Sequence, residues 1–186
     1  MSEVATVVSW YGPYPDVKVA RLSAYHYYYD GLYAAFGYEF LPCIGRTKFL
    51  YVGVGAPLYT RLTRDHHKLS QAARLTSIWL GVIESQKRAG PRIKKIEPLL
   101  DAVEWAMVAF LKPAMNARKV KWPKDPVIVR NRWYSIEDDS HFEEPVAIWP
   151  DVIDFAGSFA PAYLVWLKSQ RTVAIRNPRM FLETTQ

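Results

Sequence analysis

Apolar residues along this chain fall into short runs broken by proline, glycine and charge, and each run predicts one element. VATVVSWY at 4–11 reads as a strand, ended by the turn-rich GPYPD at 12–16. VKVARLSAYHYYYDG at 17–31 is ambiguous between helix and strand, with Asp30-Gly31 as a turn. Residues 32–40, rich in Tyr and Phe, predict a strand, and KFLYVGV at 48–54 predicts a second. LPCIGRT between them is a hairpin connection longer than a tight turn. Ala56-Pro57 opens a predicted helix through LYTRLTRDHHKL, because proline suits the first helical turn and Leu58, Leu62 and Leu69 give a broken apolar stripe.

LTSIWLGVIES at 75–85 suits a buried third strand, with a helix as the alternative, and KRAGPRIKKIE is a basic loop. Pro98 starts a helix that stops near Lys112-Pro113. VIVRNRWY is a strand candidate, EDDSHFEE an acidic surface, and DFAGSFAPAYLVWLKSQ a terminal helix started or broken at Pro161, followed by a basic tail. No internal repeat is visible. The economical division is a core over residues 1–120 and a C-terminal extension over 121–186 that packs on it or stands beside it.

Composition narrows the class. With 186 residues, half of them hydrophobic, seven Trp and twelve Tyr, the chain can bury one substantial core and is not a disordered sequence. The first 25 residues lack a signal-peptide apolar region, and no run approaches the length of a membrane span. The single cysteine, Cys43, excludes an internal disulfide framework and fits the reducing cytoplasm. The formal charge is +6, and residues 1–120 hold 16 Lys and Arg against 9 Asp and Glu. A field of that sign suits a polyanionic partner such as nucleic acid.

The sharpest chemical feature is Glu104 in EWAMVAFLKPAMN, a carboxylate in an almost wholly apolar helix followed by a proline stop and Asn116. Such a carboxylate is costly unless a cation or donor meets it. Gly31-Leu32-Tyr33, Tyr51-Val52-Gly53, Arg61 eight residues after Gly53, then Glu104, Pro113 and Asn116 form an ordered set. This set resembles the GIY-YIG nuclease family over roughly residues 31–118. The resemblance implies an α+β fold, a small three-stranded antiparallel sheet flanked by helices, acting on double-stranded DNA with a divalent metal, Mg²⁺ or alternatively Mn²⁺. It puts Tyr33 at the position favoured as general base, Tyr51 beside it, Glu104 on the metal, and Asn116 as an anchor for the loop near the metal. The chain departs from the family pattern in two places. The gap between the tyrosine words is long, and Asp65 stands where many members carry histidine, with His66 and His67 just beyond.

The same residues can be argued from chemistry. Phosphodiester hydrolysis needs an activated water, relief of charge on phosphorus and help for the departing oxygen. Glu104 offers hard oxygens suited to Mg²⁺ held mostly through water. Arg61 offers paired planar donors for phosphate, or a salt bridge to Asp65. A phenol with a pKa of about 10 needs a nearby cation to act as a base near neutrality. Arg61, Arg46, Lys48 or the metal could supply it. His66 is the candidate for phosphate contact or proton transfer. Gly31 and Gly53 permit turns or close approach, Gly53 letting the Tyr51 strand near the helix that bears Arg61. Arg88, Arg92, Lys94 and Lys95 before the Glu104 helix, with Arg118, Lys119, Lys121 and Lys124 after it, form a candidate phosphate-binding rim.

Trp122 and Trp133 could stack on an opened base, although core packing is their default use. Cys43 with His26 or His66 lacks a nucleophile context, and neither zinc spacing nor an ATP-binding loop is present. The leading expectation is a metal-dependent endonuclease of the restriction, mobile-element or structure-selective kind. It would be a homodimer if it cuts both strands, paired through the C-terminal helix around Tyr163, Leu164, Trp166 and Leu167. The alternatives are a noncatalytic nucleic-acid-binding protein on the same core, and a protein–protein inhibitor or assembly factor.

Overall fold

In the computed structural model, residues 4–41, 45–63, 68–84, 98–137, 141–142, 149–157 and 160–176 are described. Among the described residues, nine strands form one mixed sheet: β1 (Val4–Tyr14), β2 (Gly31–Tyr38), β3 (Lys48–Gly55), β4 (Arg74–Ile83), β5 (Val127–Ser135), β6 (His141–Phe142), β7 (Val152–Phe155), β8 (Ala162–Trp166) and β9 (Arg171–Ile175). Their order is β3-β2-β4-β1-β5-β7-β8-β9, with β6 pairing β5. Two α-helices accompany them among the described residues, α1 (Val17–Tyr27) and α2 (Pro98–Leu111). The expected fold of a small three-stranded sheet flanked by helices is therefore overturned. β3, β2 and β4 are one end of a sheet that continues through β1.

The continuation is the parallel pairing of β1 with β5, in register from Val4 with Val127 to Gly12 with Ser135. Every other strand pair is antiparallel. A parallel pair needs a long crossover, here supplied by everything between residues 14 and 127, α1 and α2 included. The sheet is thus continuous across the boundary drawn at residue 120, and β5 to β9 belong to the same hydrogen-bonded body as β1.

The predicted C-terminal helix is also corrected. Its residues alternate, with Ala162, Leu164 and Trp166 buried and Tyr163 turned out, which is the period of a strand. Tyr163 and Val165 are large enough to hide that alternation in the sequence. The dimer surface assigned to such a helix has no helix to use, and Trp166 is spent against the core with Arg171 over its ring at 4.4 Å.

The helix predicted after Pro57 is replaced by a 3-10 turn, Leu58–Thr60. Pro57 O accepts from Thr60 N at 3.3 Å and from Thr60 Oγ1 at 2.7 Å, and Arg61 N donates to Leu58 O at 3.0 Å. The carbonyl that α-helical propagation needs is taken by a hydroxyl, the usual way threonine competes with helix. Leu58 N donates to Tyr29 O at 2.6 Å, which ties the turn to the start of β2. The ambiguous run after Val17 is a helix, capped by Asp16, whose carboxylate accepts from Val19 N at 2.9 Å.

The two faces of β2 carry different cores. Leu32, Ala34 and Phe36 join Leu100, Val103, Ala106 and Phe110 of α2, together with Trp10, Trp133 and Trp149. Tyr33 and Ala35 join Ala20 and Ala24 of α1, with Tyr51, Leu58 and Leu80. Trp133 lies against Trp149 at 4.2 Å, and Trp122 packs on Phe110 at 5.1 Å, so both serve the core. Among the described residues, no helix is long and apolar enough to cross a membrane.

A chain ending at residue 120 would leave β1 without its β5 neighbour and expose one side of Trp10. We expect it to lose cooperative urea unfolding and to bind a hydrophobic dye. A sharp transition with native near-ultraviolet dichroism would show instead that the first 120 residues fold alone.

Candidate active site

The site begins at an edge strand. β3 ends the sheet, and its outer side is closed by the segment that follows α2. Ala114 N donates to Phe49 O at 3.1 Å, and Met115 N donates to Leu50 O at 2.8 Å. Asn116 completes the closure with its side chain: Val52 N donates to Oδ1 at 3.0 Å, and Nδ2 donates to Val52 O at 2.8 Å. The amide imitates one residue of a neighbouring strand. These bonds fix the end of α2 against β3.

Between that segment, β3 and α2 lies a cleft of about 520 Å³ lined by Tyr51, Arg61, Lys68, Asp101, Glu104 and Lys119, among others. Arg118 also lines it, and Lys121 and Lys124 are exposed nearby in sequence. The expected residues Tyr51, Arg61, Glu104 and Asn116 are therefore brought together. His66 and the basic group Arg88, Arg92, Lys94 and Lys95 lie outside the described residues, as does Cys43.

Tyr33 is near the cleft without lining it. It is fully buried on the α1 face, its ring 5.8 Å from that of Tyr51. The long connection between β2 and β3 does not separate the two tyrosines, because Tyr33 pairs with Gly53 across the hairpin. A Cβ on Gly53 would stand 2.6 Å from the Tyr33 hydroxyl, so glycine is what lets the Tyr33 ring cross the strand toward Tyr51. The role assigned to Gly53, making room for Arg61, belongs to Gly55, where a Cβ would stand 2.7 Å from Arg61 Cγ.

Burial raises the Tyr33 hydroxyl far above its ordinary range, with further upward pushes from Tyr51 and Glu104 and a downward pull from Arg61. Tyr51 is raised too, first by burial; its hydrogen bond with Tyr33 lowers it, Glu104 raises it, and Arg61 and Lys119 lower it. The two phenols are hydrogen-bonded to each other. Tyr51 is the phenol that lines the cleft, and Tyr33 lies buried beneath it.

Glu104 meets its cation within the chain. Lys119 Nζ bonds to Glu104 Oε2 and, at 2.6 Å, to Asp101 Oδ1, one helical turn earlier. Lys119 adopts a left-handed backbone (φ 60) to reach them. Lys119, expected on the phosphate-binding rim, is instead the counter-ion of the carboxylates. The signal was available in the sequence, since Asp101 and Glu104 stand i, i+3 on one helix face and require a cation. Among the described residues, no group of three or more His, Cys, Asp or Glu gathers as a metal site. Glu104 and Asp101 still converge on one cationic point, which fits a hard ion held by two carboxylates with water completing its shell.

Comparison with known proteins finds no matching family model, no matching curated protein and no matching solved structure.

Two outcomes follow from this geometry. Asn116→Ala removes two bonds and leaves the buried Val52 amide unsatisfied, so it should cost about 2–3 kcal/mol in urea denaturation. The tyrosine pair should make the fold alkali-sensitive. Tyr33 has its folded-state pKa raised above the unfolded value of about 10, so its contribution is complete below that pH and is lost as the pH rises past it. Urea midpoints between pH 9 and 11 should fall more steeply for the wild type than for Tyr33→Phe; parallel curves would contradict that.

Proposed function

We propose that this protein is a divalent-metal-dependent endonuclease acting on DNA, and that the chemistry occurs in the cleft between β3 and α2. The observation that carries this reading is the convergence of Tyr51, Arg61 and Glu104 on one cleft of about 520 Å³, from three separate elements. Arg61 is exposed, and its planar guanidinium suits paired donation to a phosphate. Glu104, with Asp101 beside it, would hold Mg²⁺ or Mn²⁺, whose charge relieves the phosphate and the departing oxygen when it is bound. Lys119, which holds the carboxylates here, would then be available to the DNA backbone.

Tyr51 is the proton acceptor in this scheme. With Tyr51 as the phenolate, its own proton lost to solvent, a water oxygen attacks phosphorus, the water proton passes to the Tyr51 oxygen, the ester P–O bond breaks, and the departing oxygen takes a proton from solvent. Burial opposes the phenolate, whereas Arg61, Lys119 and the hydrogen bond from Tyr33 favour it. Cleavage should therefore still be rising with pH as pH 9 is approached, with no plateau well below about 10. Cutting both strands of a duplex takes two such sites or successive encounters, so prompt double-strand cutting would be the work of a homodimer. The lone cysteine favours a cytoplasmic place of action.

A noncatalytic nucleic-acid-binding protein is the second reading. It is favoured by the Lys119 ammonium already seated on Glu104 and by the burial of Tyr33. Nicking of supercoiled plasmid, and cleavage of duplex and branched oligonucleotides, separates the two. In Mg²⁺ or Mn²⁺ we expect wild-type nicking, no measurable nicking by Glu104→Gln, and a loss of about 10²–10⁴-fold in Tyr51→Phe. DNA binding by Glu104→Gln should persist. A wild type that binds DNA and leaves every substrate intact with either metal would favour the noncatalytic reading.

A further inference from the structure

Helix α1 lies on the sheet face opposite α2, and its outer side is unusually rich in exposed apolar surface. Leu22 is 60%, Tyr25 64% and Tyr27 79% exposed, in a part of the molecule that the cleft chemistry does not use. Solvated helix faces normally carry charge and amide side chains, so these rings ask for an explanation.

Their arrangement supplies one. Tyr25 stands edge-on to Tyr59 at 5.2 Å and to His26 at 5.2 Å. His26 is 6.1 Å from Tyr27, Tyr27 is 6.4 Å from Tyr28, and Tyr28 is 5.8 Å from Tyr11. The rings form an unbroken track along the C-terminal end of α1. At one end is Tyr59, two residues before Arg61 of the candidate active site. At the other is a cleft of about 730 Å³ lined by Tyr11, Tyr27, Tyr28, Tyr29 and Asp30, among others.

Positive charge adjoins the Tyr25 end of the track. Lys18 and Arg21 are exposed on the helix that carries Tyr25, at spacings that put Lys18, Arg21, Leu22 and Tyr25 on one stripe. Asp16, the acid nearest them in sequence, is occupied in capping the helix. Two acids line the far cleft: Glu84 is taken by Arg132 and Ser9, and the oxygens of Asp30 suit the exocyclic amine of a base.

We propose that this track is a binding surface for single-stranded nucleic acid. Bases stack on the exposed rings of Tyr25 and Tyr27, and Lys18 and Arg21 meet the phosphates. Stacking platforms interleaved with basic side chains bind single strands without sequence preference, because every base has a π-face. A duplex, with its bases already stacked, gains little from exposed rings. Only the direction of the strand, leading past Tyr59 toward Arg61, rests on the nuclease reading.

The test is binding by the full-length protein in EDTA, read by fluorescence anisotropy, so that cleavage plays no part. The probes are fluorescein-labelled oligothymidylate of about 12–16 nucleotides and a hairpin duplex of equal length. Stacking loses about tenfold per ring on truncation, so Tyr25→Ala/Tyr27→Ala should weaken oligothymidylate binding about 100-fold and duplex binding much less. Tyr25→Phe/Tyr27→Phe should retain the affinity, since the ring faces and not the hydroxyls carry it. Lys18→Gln/Arg21→Gln should reduce the salt slope for the single strand by about 1–1.5, a readout independent of whether the alanine variant folds. Wild-type protein that fails to bind oligothymidylate, or alanine and glutamine variants that bind it as the wild type does, would overturn the proposal. Concentration-dependent self-association that the alanine variant abolishes, without oligothymidylate binding, would make the patch a protein-contact face. Failure of plasmid nicking with intact single-strand binding would remove the nuclease reading and leave this surface standing.

Discussion

An edge strand beside a cleft presents the fold with a hard requirement: its outer amides and carbonyls must be satisfied without filling the cleft. Another strand would satisfy β3 and close the space. The fold uses the side-chain amide of Asn116 and two backbone amides from residues 114 and 115 instead. The site's geometry depends on this substitution. The segment 114–116 is short enough to leave room in front of Tyr51, yet its bonds hold the end of α2 in register with β3. Pro113 stops the helix and Lys112 takes a left-handed backbone (φ 49), which turns the chain back onto the strand. Glu104 faces Tyr51 because the chain ten to twelve residues later is tied to β3.

The cleft carries both signs of charge around its phenol, with an excess of cations. Arg61, Lys68, Arg118 and Lys119 face Asp101 and Glu104 across it. Tyr51 feels both signs, and the two contributions partly cancel, leaving burial as the dominant influence. A shift in the balance, by an anion arriving or an ammonium departing, therefore acts on Tyr51 more strongly than on any fully solvated group. The ring of Tyr33 contributes by occupying the space beneath, where water would otherwise compete for the Tyr51 oxygen.

Much of this site was legible in the sequence. Glu104 announced itself as a carboxylate among apolar residues, and of the ordered set Tyr33, Tyr51, Arg61, Glu104 and Asn116 the fold brings the last four to one cleft. The partner of Glu104 was less visible, because Lys119 reads as one more basic residue until its left-handed backbone turns it toward α2. The fold was less legible still. Local pattern gave β2, β3, β4 and α2, since their apolar runs are bounded by glycine, proline or charge. It gave no sign that β1 would pair with β5, because parallel partners carry no turn between them to mark the register. It misread the segment ending in Leu164 and Trp166, where outward-facing Tyr163 and Val165 filled in the polar positions of a strand. Thr60 stopped a helix by a single hydroxyl bond, a local competition that residue periodicity does not record.

The parallel seam between β1 and β5 has a consequence in time. Val4 finds Val127 and Gly12 finds Ser135 only when nearly three-quarters of the chain exists. At a synthesis rate of roughly 5–20 residues per second, β1 waits on the order of ten seconds on the ribosome for that neighbour. During the first part of that wait β4 is absent as well, so the apolar strand around Trp10 emerges with neither side covered. Translation speed and chaperone access during this interval would then govern the yield of native protein as much as the stability of the finished sheet.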